Sequence, residues 1–285
     1  MAAKIIDGKA LAAQVKGELR GRAAALAKKH GRKPGIAVVL VGDNPASQAY
    51  VRNKIRDAEE LGFYAEKHEL PENTPEKKVM ALVERLNKDA KIDGFLVQLP
   101  LPKHINAERV TQAVLPEKDI DGLTAVSQGR LAVGMRGHVA CTPRGIMRII
   151  DSVNYPLEGK EAVVIGRSNI VGKPVALLLL ERNCTVTICH SRTKDLGKHT
   201  KRADVLVVAV GKPGLITKDM VKAGAMVIDV GTTKVGDRLR GDVDFEKVRE
   251  IAGWITPMPG GVGPMTRACL LENALDAAGR AAERK

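Results

Sequence analysis

The apolar positions of this chain follow two alternating rhythms. Within residues 10–29, Leu11, Val15, Leu19 and Leu26 recur close to helical spacing, the stripe of an amphipathic helix. Ile36–Val41 is instead an unbroken apolar run, which predicts a strand buried on both faces. It ends in Gly42-Asp43-Asn44-Pro45, a turn cluster. The two signals then repeat. A helix is predicted over 46–61, stopping at Gly62, followed by a strand over Phe63–Leu70 and a helix over 75–89. A further strand, Gly94–Leu99, is cut off by Pro100 and Pro102. Strands alternating with helices predict a mostly parallel sheet with helices on its faces.

Residues 119–142 break the rhythm. Gly122, Gly129, Gly134 and Gly137 interrupt any regular pattern, so this stretch is expected to be irregular and to contain a domain boundary. Thr142-Pro143 reads as a helix N-cap followed by proline at the first helical position, with the helix running to about Val153. After the turn Pro156–Lys160 a second alternation begins. Strands are predicted at 161–166, 185–189, 204–210 and 226–230, and helices at 173–182, 217–223 and 244–252. A hairpin is expected within Arg238–Asp242. Pro257–Pro264 is rich in proline and glycine and is expected to be irregular; a last helix follows over 265–282. The fold class is α/β, in two domains.

Length agrees with that division: 285 residues against about 150 per domain suggests two. Aromatic residues are only 2%, so Ala, Val, Ile and Leu must build the cores. The longest apolar runs, such as Val175–Leu180, are too short to cross a bilayer. The first ten residues carry no signal-like apolar stretch. Four cysteines, at 141, 184, 189 and 269, form no C-x-x-C pair, so neither structural zinc nor a disulfide framework is expected. These features predict a cytoplasmic protein. The net charge of +13 points to anionic partners. Basic residues are spread along the chain and no recognition motif accompanies them, so nucleic acid and membrane are not the expected partners.

The segment Ala162–Pro174, AVVIGRSNIVGKP, carries the clearest chemistry. A buried strand ends at Gly166, a short loop follows, and a helix starts near Gly172. This geometry brings a helix N-terminus to a phosphate. The dinucleotide fingerprint G-x-G-x-x-G is only partly present, with Ser168 at its middle position. NAD-binding sheets place a carboxylate about 20 residues further on to hold the ribose 2′-hydroxyl. Here the next strand runs into His190-Ser191-Arg192-Thr193. Arg167, Ser191 and Arg192 suit a 2′-phosphate through charge-assisted hydrogen bonds, which favours NADP over NAD.

In the first half, Tyr50 and Lys54 are four apart on a predicted helix and so share a face. Tyrosine can stack on a planar ligand, and a buried lysine can move a proton. Taken alone, the pair is equally an amphipathic helix rim. Gln98 ends a buried strand, where its amide must find partners. Asp119 and Asp121 fall in the irregular stretch, where turn chemistry is the plain reading. No H-x-x-x-H, G-x-S-x-G or P-loop lysine occurs. Metalloprotease, serine hydrolase and P-loop kinase readings lose their main support.

Taken jointly, VGDNPASQAYVRNK (41–54), GFLVQLPLP (94–102), EKDIDG (117–122), CTPRG (141–145), VVIGRSNIVGKPVA (163–176), TVTICHSRT (185–193), AVGKPG (209–214) and ITPMPGGVGPMT (255–266) resemble one family. It is the bifunctional methylenetetrahydrofolate dehydrogenase/methenyltetrahydrofolate cyclohydrolase family of one-carbon metabolism. The resemblance implies a folate-binding catalytic domain of three α/β layers over 1–120. It implies a Rossmann-like parallel-sheet NADP domain over 121–264, and a C-terminal helix, 265–285, packed back on the first domain. It further implies Lys54, Gln98, Tyr50 and Asp121 as catalytic residues. Tyr50 would stack on the folate, Gln98 would tune Lys54, and Asp121 would grip the pterin. Leu99, Pro100, Pro259, Gly260, Gly261 and Val262 would line the folate site. Gly166, Arg167, Ser168, Ser191, Arg192 and Thr232 would meet NADP. No metal is implied, and a homodimer is expected. The sequence departs from the family pattern at Thr232-Thr233, where isoleucine and asparagine are usual, and at Ala140, where proline is usual.

Overall fold

Two parallel sheets, each with its own core, organise the chain. The computed structural model describes residues 2–283; Met1, Arg284 and Lys285, which end the expected first domain and last helix, lie outside the described residues. From the N-terminus the chain runs through β1 (Lys4–Ile5), α1 (Gly8–His30), β2 (Gly35–Val41), α2 (Pro45–Glu60), β3 (Tyr64–Leu70), α3 (Glu76–Lys88), β4 (Gly94–Val97), α4 (Ala107–Gln112), α5 (Ala125–Ala132) and α6 (Cys141–Ser152). It continues through β5 (Glu161–Ile165), α7 (Gly172–Glu181), β6 (Thr185–Cys189), α8 (Leu196–Thr200), β7 (Val205–Val208), a 3-10 turn (Lys218–Met220), β8 (Met226–Asp229), β9 (Thr233–Val235), β10 (Arg238–Arg240), α9 (Phe245–Val248), β11 (Trp254–Ile255) and α10 (Val262–Glu283).

Gln14–Cys141 and the chain from Arg267 onward form one compact unit. Its sheet has the order β3-β2-β4, all parallel. Every residue of the central strand β2 is buried, which accounts for its unbroken apolar run. On one side, Val39 and Phe95 pack with Val79, Val83 and Leu86 of α3. The helix α2 starts at Pro45 because Asn44 accepts from the backbone N–H of Ala46 and Ser47. Further along α2, the buried Asp57 meets Lys16 Nζ at 2.6 Å and an Arg267 guanidinium nitrogen at 3.2 Å. These contacts tie α2 to α1 and α10.

The chain up to Ala13 and Thr142–Thr266 form the other unit. Its main sheet has six strands in the order β1-β11-β8-β7-β5-β6, every pairing in it parallel, and β9 and β10 form a separate antiparallel pair. All residues of β7 and β8 are buried. Successive strands β5 and β6 lie to one side, whereas β7 follows on the other. The strand order therefore reverses at β5, and this opens a crevice at the C-terminal ends of β5 and β7, the usual ligand position in such sheets.

The structure differs from the sequence expectations in several places. The stretch 119–142 contains α5, because Thr124 caps it and its Oγ1 accepts from Ser127 N; Gly129 is tolerated inside. The helices expected at 217–223 and 244–252 shrink to a 3-10 turn and the four-residue α9. The hairpin spans 233–240, with its turn at Gly236, where φ is +59°. Residues 262–264 are helical, since proline in a first helical turn has no intrahelical N–H to lose. The compact units also divide the chain differently from 1–120 and 121–264. Residues 4–5 pair with β11, and residues 121–141 stay with the first sheet, where Phe95 bridges to Asp119 and Asn273 reaches Ile120 and Val139.

Candidate active site

The first cluster lies around the end of β4. Lys54, half-buried on α2, donates through Nζ to Gln98 Oε1 at 3.1 Å. Gln98 follows the last residue of β4. Its backbone N–H donates to Val39 O at 2.8 Å, and its Nε2 donates to Leu99 O at 2.7 Å. The strand end thus fixes the backbone, and Leu99 fixes which side of the carboxamide faces Lys54. Tyr50 sits one turn before Lys54 with half of its surface exposed, at 50%. Leu99 is half-buried, Pro100 is exposed, and the peptide between them is cis.

The two aspartates of the EKDIDG segment have different fates. Asp119 is buried and serves the backbone: its oxygens accept from Leu123 N at 3.1 Å, Thr124 N at 2.8 Å and Ser127 Oγ at 2.7 Å. Asp121 is half-buried and adjoins the fully buried Cys141. Burial first, and then the Asp121 carboxylate, pushes the Cys141 thiol well up, so it stays protonated at neutral pH. Sequence reasoning missed Asn273 of α10. Its Nδ2 donates to Ile120 O at 2.8 Å and Val139 O at 2.9 Å, and lies 3.6 Å from Cys141 Sγ. It therefore ties the carbonyl just before Asp121 to that of Val139 from one side chain. Its only sequence signal was a polar residue inside the apolar helix ACLLENALDAA, which has to find buried partners. Ala140, the departure from the family pattern, is buried beside Gly122.

The second cluster occupies the crevice of the six-stranded sheet. Gly166 follows β5 with φ +121°, and a Cβ there would lie 2.4 Å from Ala209 O. Only glycine allows this approach. Gly172 opens α7, and a Cβ on it would meet Gly166 O at 2.2 Å. Ser168 Oγ accepts from Val171 N at 3.2 Å, shaping the loop between them. A cavity of about 400 Å³ opens beyond this loop, lined among others by Gly166, Arg167, Ser168, His190, Ser191 and Lys212. Among the described residues its wall carries two permanent cations and no carboxylate. A glycine-tight loop, a helix N-terminus and this basic wall fit a phosphorylated nucleotide.

Not every expected nucleotide contact lies on that wall. Arg192 is exposed and outside it; its backbone N–H donates to His190 Nδ1 at 3.2 Å. Thr232 also lies elsewhere, exposed, with its hydroxyl 3.9 Å from Met258 Sδ. Lys212 is the cation that sequence reasoning passed over; its place directly after a strand-ending glycine was the available signal. In the same unit, Pro259 and Gly260 follow a cis Met258–Pro259 peptide, Gly261 packs against Gly8, and Val262 starts α10.

The comparisons with known proteins agree across the chain. The profile of the tetrahydrofolate dehydrogenase/cyclohydrolase catalytic domain matches residues 6–121, and that of the family's NAD(P)-binding domain matches residues 140–282. The bifunctional protein FolD of Nitrosospira multiformis is 55% identical over 282 residues, covering 99% of this chain and 98% of the relative. Its counterpart from Moorella thermoacetica is 54% identical, covering 98% of this chain and all of the relative. Among solved structures, the FolD dehydrogenase/cyclohydrolase of Campylobacter jejuni is 45% identical with a TM-score of 0.96, covering 98% of this chain and 99% of that one. The Trypanosoma brucei enzyme, complexed with NADP cofactor and an inhibitor, is 39% identical with a TM-score of 0.94, covering 98% of each. With both domains matched and the full length aligned, this chain belongs to the tetrahydrofolate dehydrogenase/cyclohydrolase family.

Proposed function

We propose that this chain oxidises 5,10-methylenetetrahydrofolate to the 5,10-methenyl form with NADP+ and then hydrolyses the methenyl bridge to 10-formyltetrahydrofolate. Folate chemistry is assigned to the unit holding Lys54, and NADP to the six-stranded unit. The observation that carries the reading is the Lys54–Gln98 contact at 3.1 Å, set at the C-terminal end of a buried parallel strand. It is supported by membership of a family with both activities.

The reaction divides between positioning and proton transfer. When bound, NADP+ supplies the hydride acceptor for the first step. Tyr50, exposed one turn from Lys54, offers its ring face to the pterin, and Asp121 offers acceptors to the pterin N–H groups. Holding the folate in one pose is worth several orders of magnitude when the reacting atoms align. In the second step water adds to the methenyl carbon, the bridge opens at one ring nitrogen, and one proton is released overall. Lys54 Nζ spends one hydrogen bond on Gln98 Oε1, so it is aimed while its remaining valences serve water and the ring nitrogen. Pro259, Gly260, Gly261 and Val262 are assigned to the folate site on the family pattern alone.

The basic wall formed by Arg167 and Lys212, with Ser191 beside it, supports NADP over NAD. Arg192 and Thr232 are retained as nucleotide contacts only on the family pattern. A homodimer is assigned on β6, the last strand of the six-stranded sheet among the described residues, with Ile188 of β6 41% and Leu180 of α7 58% exposed. A cytoplasmic location is assigned on the buried thiols of Cys141, Cys184 and Cys189; no helix among the described residues is long and apolar enough to cross a membrane. The direct test is incubation with methylenetetrahydrofolate and NADP+ while NADPH and methenyl absorbance are followed together. NADPH without subsequent decay of the methenyl signal would remove the second activity; no NADPH would remove the first.

A further inference from the structure

Two buried carboxylates stand behind the crevice, and the reaction as described uses neither. Asp229 is the last residue of β8 and Asp242 follows β10; they are 3% and 0% exposed. Neither has a cation within ion-pair distance among the described residues. Their partners are backbone amides. Asp242 Oδ2 accepts from Val210 N at 2.8 Å and Gly211 N at 2.9 Å. Asp229 Oδ1 accepts from Gly231 N and Asp242 N, each at 2.9 Å, and its Oδ2 accepts from Val243 N at 3.0 Å. Five backbone N–H groups therefore converge on two side chains. The same carboxylates dictate the glycines around them. A Cβ on Gly231 would lie 2.3 Å from Asp242 Cγ, and one on Gly241 would lie 1.9 Å from Asp229 Oδ2.

The location of those amides gives the pair its meaning. Val210 and Gly211 form the turn after β7, and Gly231 the turn after β8, at the strand ends where ligands of such sheets bind. Val210 and the next-but-one residue, Lys212, line the 400 Å³ cavity. A fold needing only stability would fill this space with apolar side chains, because burying unpaired carboxylates is costly. Burial, together with the neighbouring Asp242, raises the Asp229 carboxyl to about 6 despite its three N–H donors. The molecule tolerates that cost where it fixes two loops.

We infer that Asp229 and Asp242 are positioning residues for the dinucleotide: their carboxylates lock the turns after β7 and β8 into the shape that receives NADP. The inference rests on the NADP reading above. Asp242→Ala removes both anchors of the β7 turn. Asp242→Asn keeps an acceptor oxygen for Val210 and Gly211 and serves as the rescue. The experiment measures the Kd of NADP+ by calorimetry on wild-type and variant apoproteins, alongside the Kd of tetrahydrofolate and a thermal melt. Asp242→Ala is expected to weaken NADP+ at least tenfold, Asp242→Asn no more than threefold, and tetrahydrofolate binding is expected to shift less than twofold in both. If Asp242→Ala fails to fold, Asp242→Ser, whose hydroxyl ends one bond short of the Oδ2 position and so gives up both anchors while keeping a polar group, is held to the same tenfold criterion. Unchanged NADP+ affinity in a folded alanine or serine variant overturns the inference. So does a parallel loss of both ligands, which would make the pair a general stabiliser. Failure of the wild-type protein to bind NADP+ would instead overturn the cofactor reading itself.

Discussion

Lys54 Nζ donates to Gln98 Oε1 across 3.1 Å, and the same carboxamide donates through Nε2 to Leu99 O across 2.7 Å. The second bond selects the first. With Nε2 committed to a backbone carbonyl, only the oxygen can face the lysine, so the lysine is aimed without being paired to a carboxylate.

Lys54→Gln keeps length and polarity but removes the amine proposed above to give and take a proton. Loss of general acid–base catalysis costs about 10²- to 10⁴-fold, so hydrolysis of methenyltetrahydrofolate is expected to fall by at least about a hundredfold. Dehydrogenase activity, which depends chiefly on positioning, should fall less. Each step is assayed separately, with methenyltetrahydrofolate supplied directly for the second. Near-wild-type hydrolysis would reduce the Tyr50–Lys54 pair to an ordinary helix rim.

Arg167→Ala tests the nucleotide wall. A hydrogen bond to a charged group contributes about 1.5–3 kcal/mol, so kcat/KM for NADP+ is expected to drop by roughly tenfold or more. The value for NAD+, which has no 2′-phosphate, should change little. Equal kcat/KM for the two cofactors in the wild-type enzyme would contradict the NADP assignment.

The parts of this molecule legible in the sequence are those set by local rules. β2, β4, β5, β7 and β8 are built on buried apolar runs, and their ends, with Gly166 after β5 and Gln98 after β4, could be located from period and punctuation alone. β1 and β11 are two residues long and carry no period; it is pairing, β1 with β11 and β11 with β8, that makes them strands. Arg192 and Lys212 look alike in the sequence, each a basic residue just past a strand. The turn that joins His190 to Thr193 through Thr193 Oγ1 leaves Arg192 exposed, while Lys212 lines the cavity. Asn273 and Asp242 lie far along the chain from the loops they hold, so nothing local marked their roles.

The ion pairs of Asp57 anchor α2, the helix that bears Tyr50 and Lys54. Arg267→Met removes one partner and leaves Lys16. Breaking a buried pair outright costs about 3–5 kcal/mol. With one cation remaining, a loss of about 2 kcal/mol is expected, read as an earlier melt of this unit. A variant melting at the wild-type temperature would show that Lys16 alone satisfies the carboxylate.

Acid stability should depend on His138. This side chain is 3% exposed and follows the segment 119–137 that carries both aspartates of EKDIDG. An Arg280 guanidinium nitrogen contacts the ring at Nε2 and lies 3.0 Å from Nδ1, and Glu117 O lies 3.3 Å from Nε2. The neutral ring offers the arginine a ring-nitrogen acceptor, which the protonated ring would lose. Burial, and then the arginine charge, lowers its pKa from 6.5 to about 4; the Glu117 carbonyl and the more distant Asp119 and Asp276 oppose the shift. In the unfolded chain the ring takes up its proton near 6.5, whereas the folded ring resists until about 4. The unfolded state therefore binds more protons in that window, and stability falls as pH drops through it. The contribution is fully present above 6.5 and lost by about 4. A shift of this size corresponds to roughly 3 kcal/mol. His138→Gln keeps an acceptor for Arg280 and cannot titrate. Urea midpoints measured from pH 7.5 to 4 should decline less steeply in this variant than in the wild type, the two curves converging toward the acid end. Parallel curves across the whole range would remove His138 as a source of acid sensitivity.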